Sequence, residues 1–201
     1  MGPGTRKERE KQLGLLLPVP LSVRLDRLLQ RAAEGGERTS RKGLVAGLIE
    51  GAQRDTSDLH RLVRALRTAP LRAAALAGDE VGDYLDDERR PGPRGSRGLG
   101  QPALNEQVFF SRSSPDPAPA PDSPLLRAPS RRVGLAVPLA LDKKLDALVR
   151  AVESDGGSTS RGELLAALVL AAPEDPDELV QLVAAHRRAQ RRRERAPKPR
   201  R

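Results

Sequence analysis

Hydrophobic residues alternate with other residues in two segments of the chain, 13–21 and 133–141. A period of two predicts a β-strand with one buried face. The buried face takes leucine and valine, listed as Leu13, Leu15, Leu17, Val19 and Leu21, with Val133, Leu135, Val137, Leu139 and Leu141. Prolines 18, 20 and 138 share the opposite parity, so they fit the positions of an antiparallel pair that make no ladder hydrogen bonds.

Helical spacing of hydrophobic residues follows each predicted strand. Ser22 and Asp142 are the predicted N-caps of a first helix, and paired glycines near residues 36 and 156 end it. A second helix begins at the sequence Thr-Ser-Arg in both places, and Asp55 and Asp175 are the predicted N-caps of a third.

The two segments are copies of one unit. Residues 13–67 align without a gap to residues 133–187, and 21 of the 55 aligned positions are identical. This repeat predicts a basic arm at 1–12, one copy at 13–68, a spacer at 69–131, a second copy at 132–187 and a tail at 188–201. We expect the two copies to pair within one chain, because the aligned residues 13–67 carry a net charge of +4 and residues 133–187 carry −4.

The order strand, helix with Leu25-Asp26, glycine turn and Thr39-Ser40-Arg41 resembles the ribbon-helix-helix family of small dimeric bacterial DNA-binding proteins. The resemblance covers about 80 residues, including the counterparts in copy two. It implies a mainly α fold with short β-strands, in which tandem β-α-α units, each with a third helix, form an intramolecular pseudo-dimer.

The resemblance also implies a DNA-binding site. Family members insert a two-stranded ribbon into the major groove and hold phosphates at the start of the second helix. Transferred to this chain, the phosphate-binding residues are Ser40, Arg41, Ser160 and Arg161.

The strand parity predicts which residues face DNA, and none of these residues has a polar side chain. They are Leu16, Pro18, Pro20, Ala136, Pro138 and Ala140. Direct recognition of base edges requires hydrogen-bonding side chains. Two interpretations therefore remain open: binding of duplex DNA mainly through phosphates, as a regulator or accessory factor, or a protein-interaction module that keeps the fold.

Charge favours a polyanionic partner. The chain has 36 basic and 27 acidic residues, and residues 188–201 alone carry +7. Clustered arginines bind phosphates without reading sequence. The predicted phosphate-binding tail residues are Arg188, Arg191, Arg192, Arg193, Arg195, Lys198, Arg200 and Arg201, and the tail is predicted to be disordered.

The proline- and glycine-rich spacer is also predicted to be disordered, and a protein partner could bind it around Tyr84 or at Phe109 and Phe110. Enzymatic activity, a cofactor and a metal site are not expected. The chain has no cysteine, and His60 and His186 are predicted to be exposed on helices without a catalytic partner. No segment predicts a membrane span, so a cytoplasmic location is expected.

Overall fold

The computed structural model describes residues 10–53, 55–77 and 123–195. These residues form a mainly helical fold with a short two-stranded antiparallel sheet, which confirms the predicted fold class at this level. The basic arm up to residue 9, the spacer residues 78–122 with Tyr84, Phe109 and Phe110, and the tail residues Lys198, Arg200 and Arg201 lie outside the described residues.

The elements follow one another in the same order in each half. The first half consists of β1 (Glu10–Pro18), α1 (Val19–Glu34), α2 (Arg41–Gly51), α3 (Thr56–Thr68) and a 3-10 turn (Leu71–Ala74). After α4 (Pro124–Arg127), the second half consists of β2 (Ser130–Pro138), α5 (Leu139–Ser154), α6 (Arg161–Leu170) and α7 (Pro176–Arg195). No helix of the described residues is both long and apolar enough to cross a bilayer.

The strands begin and end about three residues earlier than predicted. Helix α1 begins at Val19 and α5 at Leu139, so Pro18 and Pro138 take the N-cap positions without a side-chain cap. Proline fixes φ and lacks an N–H, which suits the boundary of a helix. The prediction that Ser22 and Asp142 are N-caps is therefore wrong, because both lie inside the first helical turn.

The other helix boundaries agree with the sequence. Gly36 and Gly156 have φ of +89° and +79° after α1 and α5, a conformation that glycine adopts without strain. Ser40 and Ser160 accept hydrogen bonds from the amides of Gly43 and Glu163. Asp55 and Asp175 cap the third helices in the same way.

Both halves contribute to one hydrophobic core. The sheet buries leucine and valine from β1 and β2 on one face, and each second helix packs beside the strand of the other half. Arg67 of α3 donates to the Glu163 carboxylate and the Ser158 carbonyl, and the bond to Glu163 raises the pKa of Arg67. Arg187, which is 120 residues later, donates to the Arg38 carbonyl and pairs with Glu37.

Two segments predicted to be disordered are ordered where the structure describes them. The spacer ends pack on the core through Ala69, Ala74, Leu76 and Leu125. Ser123 donates to the carbonyl of Ala69, which holds the two ends of the spacer together. Helix α7 continues to Arg195, so residues 188–195 of the predicted tail are helical.

Candidate nucleic-acid interface

The outward face of the sheet is centred on two glycines. Gly14 lies opposite Gly134 in the antiparallel register, with Leu16 opposite Arg132 and Gln12 opposite Ala136. These six residues are the central outward positions of the ribbon, and all are exposed except the half-buried Ala136. Leu16 keeps 67% of its surface exposed. The six positions therefore combine one amide, one guanidinium, two apolar side chains and two glycines, of which Gly134 has open space above it.

This face corrects the predicted DNA-facing set. Leu16 and Ala136 lie on it as predicted, but Pro18 and Pro138 are buried at the strand ends. Pro20 and Ala140 belong to helices α1 and α5, because the strands end at the prolines before them. The prediction that the outward face lacks hydrogen-bonding side chains is therefore wrong, because Gln12 and Arg132 lie on it.

Gln12 and Arg132 are the residues that sequence analysis missed. The two residues occupy equivalent positions in the two copies. Each lies two residues before the outward glycine of its strand and just outside the segment that was predicted to be a strand. Extending the period of two from Gly14 back to residue 12 would have found them. Arg132 lies across the ribbon, since a Cβ at Gly14 would lie 3.1 Å from its Nε and Nη2 atoms. Glycine at position 14 leaves room for this guanidinium.

The second helices begin on either side of the ribbon. The start of α6 adjoins β1, where a groove of about 720 Å³ is lined by Leu16, Ser160, Arg161 and Gly162. The start of α2 adjoins the other end of the ribbon, where a groove of about 830 Å³ is lined by residues that include Glu10, Ser40, Lys42 and Pro138. The first amides of a helix have no acceptor within the helix and lie at its positive end, so they attract anions.

Arg41 and Arg161 are paired with carboxylates. The Nε atom of Arg41 lies 2.5 Å from Asp26 Oδ1, and Arg161 Nη1 lies 3.1 Å from Asp142 Oδ1 while also contacting Asp146. These pairs attach the start of each second helix to the first helix of the same copy. The predicted contact of the two arginines with phosphates stays a prediction, and it requires each guanidinium to be shared with a carboxylate.

Two further contacts join each strand to the first helix of the other copy. Lys11 Nζ lies 2.9 Å from the buried Asp142 Oδ2, and Arg131 Nε donates to the buried Ser22 Oγ at 2.8 Å. Lys11 and Arg131 are 120 residues apart, as are Ser22 and Asp142. These cross-connections hold the ribbon against the helices and explain why Ser22 and Asp142 are polar, although neither is a cap.

His186 is buried, with only 5% of its surface exposed, so the prediction of an exposed histidine is wrong there. It occupies the position of the buried Leu66 in copy one. Desolvation lowers the pKa of His186, although the nearby Glu50 acts in the opposite direction; Arg193, Arg187 and Lys42 lower the pKa further. The Nδ1 atom lies 4.0 Å from Glu50 Oε2.

We expect the folded protein to lose stability as the pH falls from about 7.5 to 5.5. The folded pKa of His186 lies below its unfolded value, so in this window the unfolded chain binds the proton more readily, and stability rises with pH. His186→Leu copies Leu66 and should flatten the dependence of melting temperature on pH. Parallel curves for the two proteins would contradict this assignment.

The comparisons give no relative for this arrangement. No family model, curated protein or solved structure matches the chain. Among the described residues, no group of three or more histidine, aspartate or glutamate side chains is arranged to hold a metal ion.

Proposed function

We propose that this chain is a non-enzymatic DNA-binding protein built from tandem ribbon-helix-helix units that pair within the chain. The observation that carries the proposal is the ribbon face: Gln12 and Arg132 project from equivalent positions, and the start of a second helix lies on each side. A transcriptional regulator or accessory factor, acting in the cytoplasm on the nucleoid, is the role that this site supports best.

The ribbon suits the major groove in size and chemistry. That groove is about 12 Å wide and admits a two-stranded β-ribbon. Arginine pairs with the O6 and N7 atoms of guanine, and glutamine pairs with N6 and N7 of adenine. Gly134 bears no side chain and has open space at the centre of the face, which lets the backbone approach the bases there, while the guanidinium of Arg132 lies over Gly14.

The two copies differ at every outward position except the central glycine. Gln12, Gly14 and Leu16 align with Arg132, Gly134 and Ala136. A symmetric dimer reads a palindrome because both of its strands carry the same residues. This chain should instead prefer a site with two unlike halves.

The starts of α2 and α6 supply the phosphate contacts beside the ribbon. Each has free amides and a positive helix end, and Lys42 lies in the first turn of α2. The net charge of +9 adds sequence-independent attraction for DNA.

The test compares two double variants on duplexes enriched by the intact chain from a random pool. Gln12→Ala with Arg132→Ala should reduce the preference for the enriched sequence over random DNA by about 5- to 150-fold for each side chain. The control, Gln181→Ala with Arg150→Ala, removes the same residue types from exposed positions of α7 and α5 and should keep the preference. Fluorescence anisotropy measures both affinities.

The same binding measurements distinguish the DNA-binding proposal from a second candidate function. Leu16 is a large exposed apolar residue at the ribbon, which favours a protein-interaction module as the alternative function. If the intact chain binds no duplex DNA at low salt, the DNA-binding proposal fails and the alternative gains support. An equal loss of preference in the control variant would contradict the assignment of Gln12 and Arg132.

A further inference from the structure

Helix α7 carries an arginine stripe, which we define as Arg188, Arg191, Arg192 and Arg195. The spacing of three, four and seven residues places these side chains on one face of the helix. All four residues are exposed. None of their side chains makes a hydrogen bond or an ion pair with another residue that the structure describes.

Two arginines on either side of the buried face of α7 anchor the helix. Arg187 donates to the Arg38 carbonyl at 2.9 Å and pairs with Glu37, while Arg193 pairs with Glu50. These contacts fix the last turns of α7 against copy one. The stripe is therefore part of an anchored helix, and its four charges keep a fixed spacing.

The stripe is unfavourable for the helix itself. Neighbouring arginines three or four residues apart repel each other, at about 0.2–0.5 kcal/mol for each pair. Cations near a helix C-terminus are favourable, but this effect is confined to the last turn, which Arg188 precedes. A row of anions would relieve the repulsion along the whole stripe.

The position of the helix points to phosphates beside the ribbon. Gln190 and Glu194 of α7 line the same groove as Glu10 at the ribbon end and Lys42 at the start of α2. At about 100° per residue, Arg191 is the stripe residue nearest to this groove, and the other three lie farther round the exposed face of the helix. The stripe spans about 10 Å of helix axis, which corresponds to about three phosphates of one DNA strand.

The other side of the molecule has no such helix among the described residues. Helix α3 occupies the equivalent place in copy one, but it ends at Thr68, and the chain turns into the 3-10 turn at Leu71–Ala74. We infer that the arginine stripe is a second phosphate-backbone contact on one side of the ribbon only, which gives the chain a fixed orientation on duplex DNA. This inference rests on the proposed function.

The first test is the salt dependence of binding to a duplex. Replacing all four stripe residues with glutamine, which retains helix propensity, should reduce the slope of log affinity against log salt by about 2 to 4. The matched control replaces four other exposed arginines with glutamine, Arg61, Arg64, Arg72 and Arg150, and removes the same charge. Its slope should change by less than about 1.

The second test locates the contact. The chain has no cysteine, so Arg192→Cys carries a single photo-crosslinker, and Arg72→Cys, 120 residues earlier, is its counterpart in the first half. The label at 192 should crosslink to duplex DNA, and the label at 72 should not.

The outcomes separate the two proposals. An intact chain without salt-dependent duplex binding overturns the proposed function. If the intact chain binds duplex DNA, but the stripe and control variants show the same reduction in the slope of log affinity against log salt, the stripe contact is overturned. The proposed function is then unaffected. Equal crosslinking from 72 and 192 overturns the one-sided orientation. An unchanged slope in the stripe variant also overturns the inference, in favour of an acidic protein partner for this face.

Discussion

Replacing Leu25 or Leu145 with alanine should lower the free energy of unfolding by about 2–5 kcal/mol. The two leucines are equivalent in the repeat, and both are completely buried on the first helices beneath the ribbon. Removing either side chain leaves a cavity where hydrophobic residues of both halves meet. Since folded domains are typically stable by about 5–15 kcal/mol, a single substitution removes a large share of the total.

Denaturant titration at neutral pH measures both variants. Leu16→Ala is the control, because Leu16 is exposed on the ribbon, and its unfolding free energy should change by less than about 0.5 kcal/mol. Because Leu25 and Leu145 belong to one hydrophobic cluster, we expect the double variant to be destabilised far more than either single variant. Unchanged melting of both single variants would show that the assigned helix faces are wrong.

Sequence periodicity predicted the buried faces better than the element boundaries. Leu13, Leu15 and Leu17 are buried on one face of β1, and Leu25 and Leu28 are buried on α1, as the alternation and the helical spacing indicate. Leu21 satisfies both periods, which is why the strand was extended too far. The period alone could not show that a helix begins at Val19, since Pro18 fits the end of a strand as well as the cap of a helix.

That three-residue error decided the functional interpretation. It moved the outward set toward prolines and alanines and left out Gln12 and Arg132, the two polar side chains at the central positions of the face. Register in a ribbon is set by cross-strand pairing, and the pairing of Gly14 with Gly134 is a long-range contact. The repeat contained the information needed to find this register. A twofold arrangement of two equivalent copies brings equivalent positions opposite each other at the centre of the ribbon.

Tertiary contacts account for the remaining differences. The arginine-rich composition predicted disorder after residue 187, but Arg193 pairs with Glu50, and Gln190 donates to Glu194 within the helix. The spacer ends likewise become ordered through Ser123 and Ala69, which the intervening residues separate in sequence. Neither contact has a local sequence pattern that would reveal it.

Arg24 is the clearest case of a buried charge that only the fold explains. It is 4% exposed, and its guanidinium donates to the carbonyls of Val169 at 3.1 Å and Ala172 at 3.2 Å. These carbonyls end helix α6 of the other copy, where a cation is favourable. Lys144, the equivalent residue of copy two, donates to the Glu50 carbonyl near the end of α2. Each first helix therefore caps the second helix of its counterpart.

Arg24 also connects the start of the spacer to copy two. Its Nη1 atom lies 3.3 Å from the Ala75 carbonyl and 3.0 Å from Glu174 Oε1, and Glu174 accepts from the amide of Ala77. Glu174 is more than one third exposed, so the ion pair itself contributes little to stability. The contribution of Arg24 comes mainly from the buried carbonyls that it satisfies.

Arg24→Met should therefore lower the free energy of unfolding by about 1–3 kcal/mol, because it leaves the Ala172 carbonyl without its donor while filling a similar volume. The Val169 carbonyl loses one donor but still accepts from the amide of Ala172. Arg24→Lys copies Lys144 and retains one donor, so its loss should be smaller. Arg150→Met on the exposed face of α5 is the control and should change stability by less than about 0.5 kcal/mol. Denaturant titration measures the unfolding free energy of the three variants. If the Arg24→Met variant is as stable as the intact chain, the carbonyls find other donors, and Arg24 does not join the two copies.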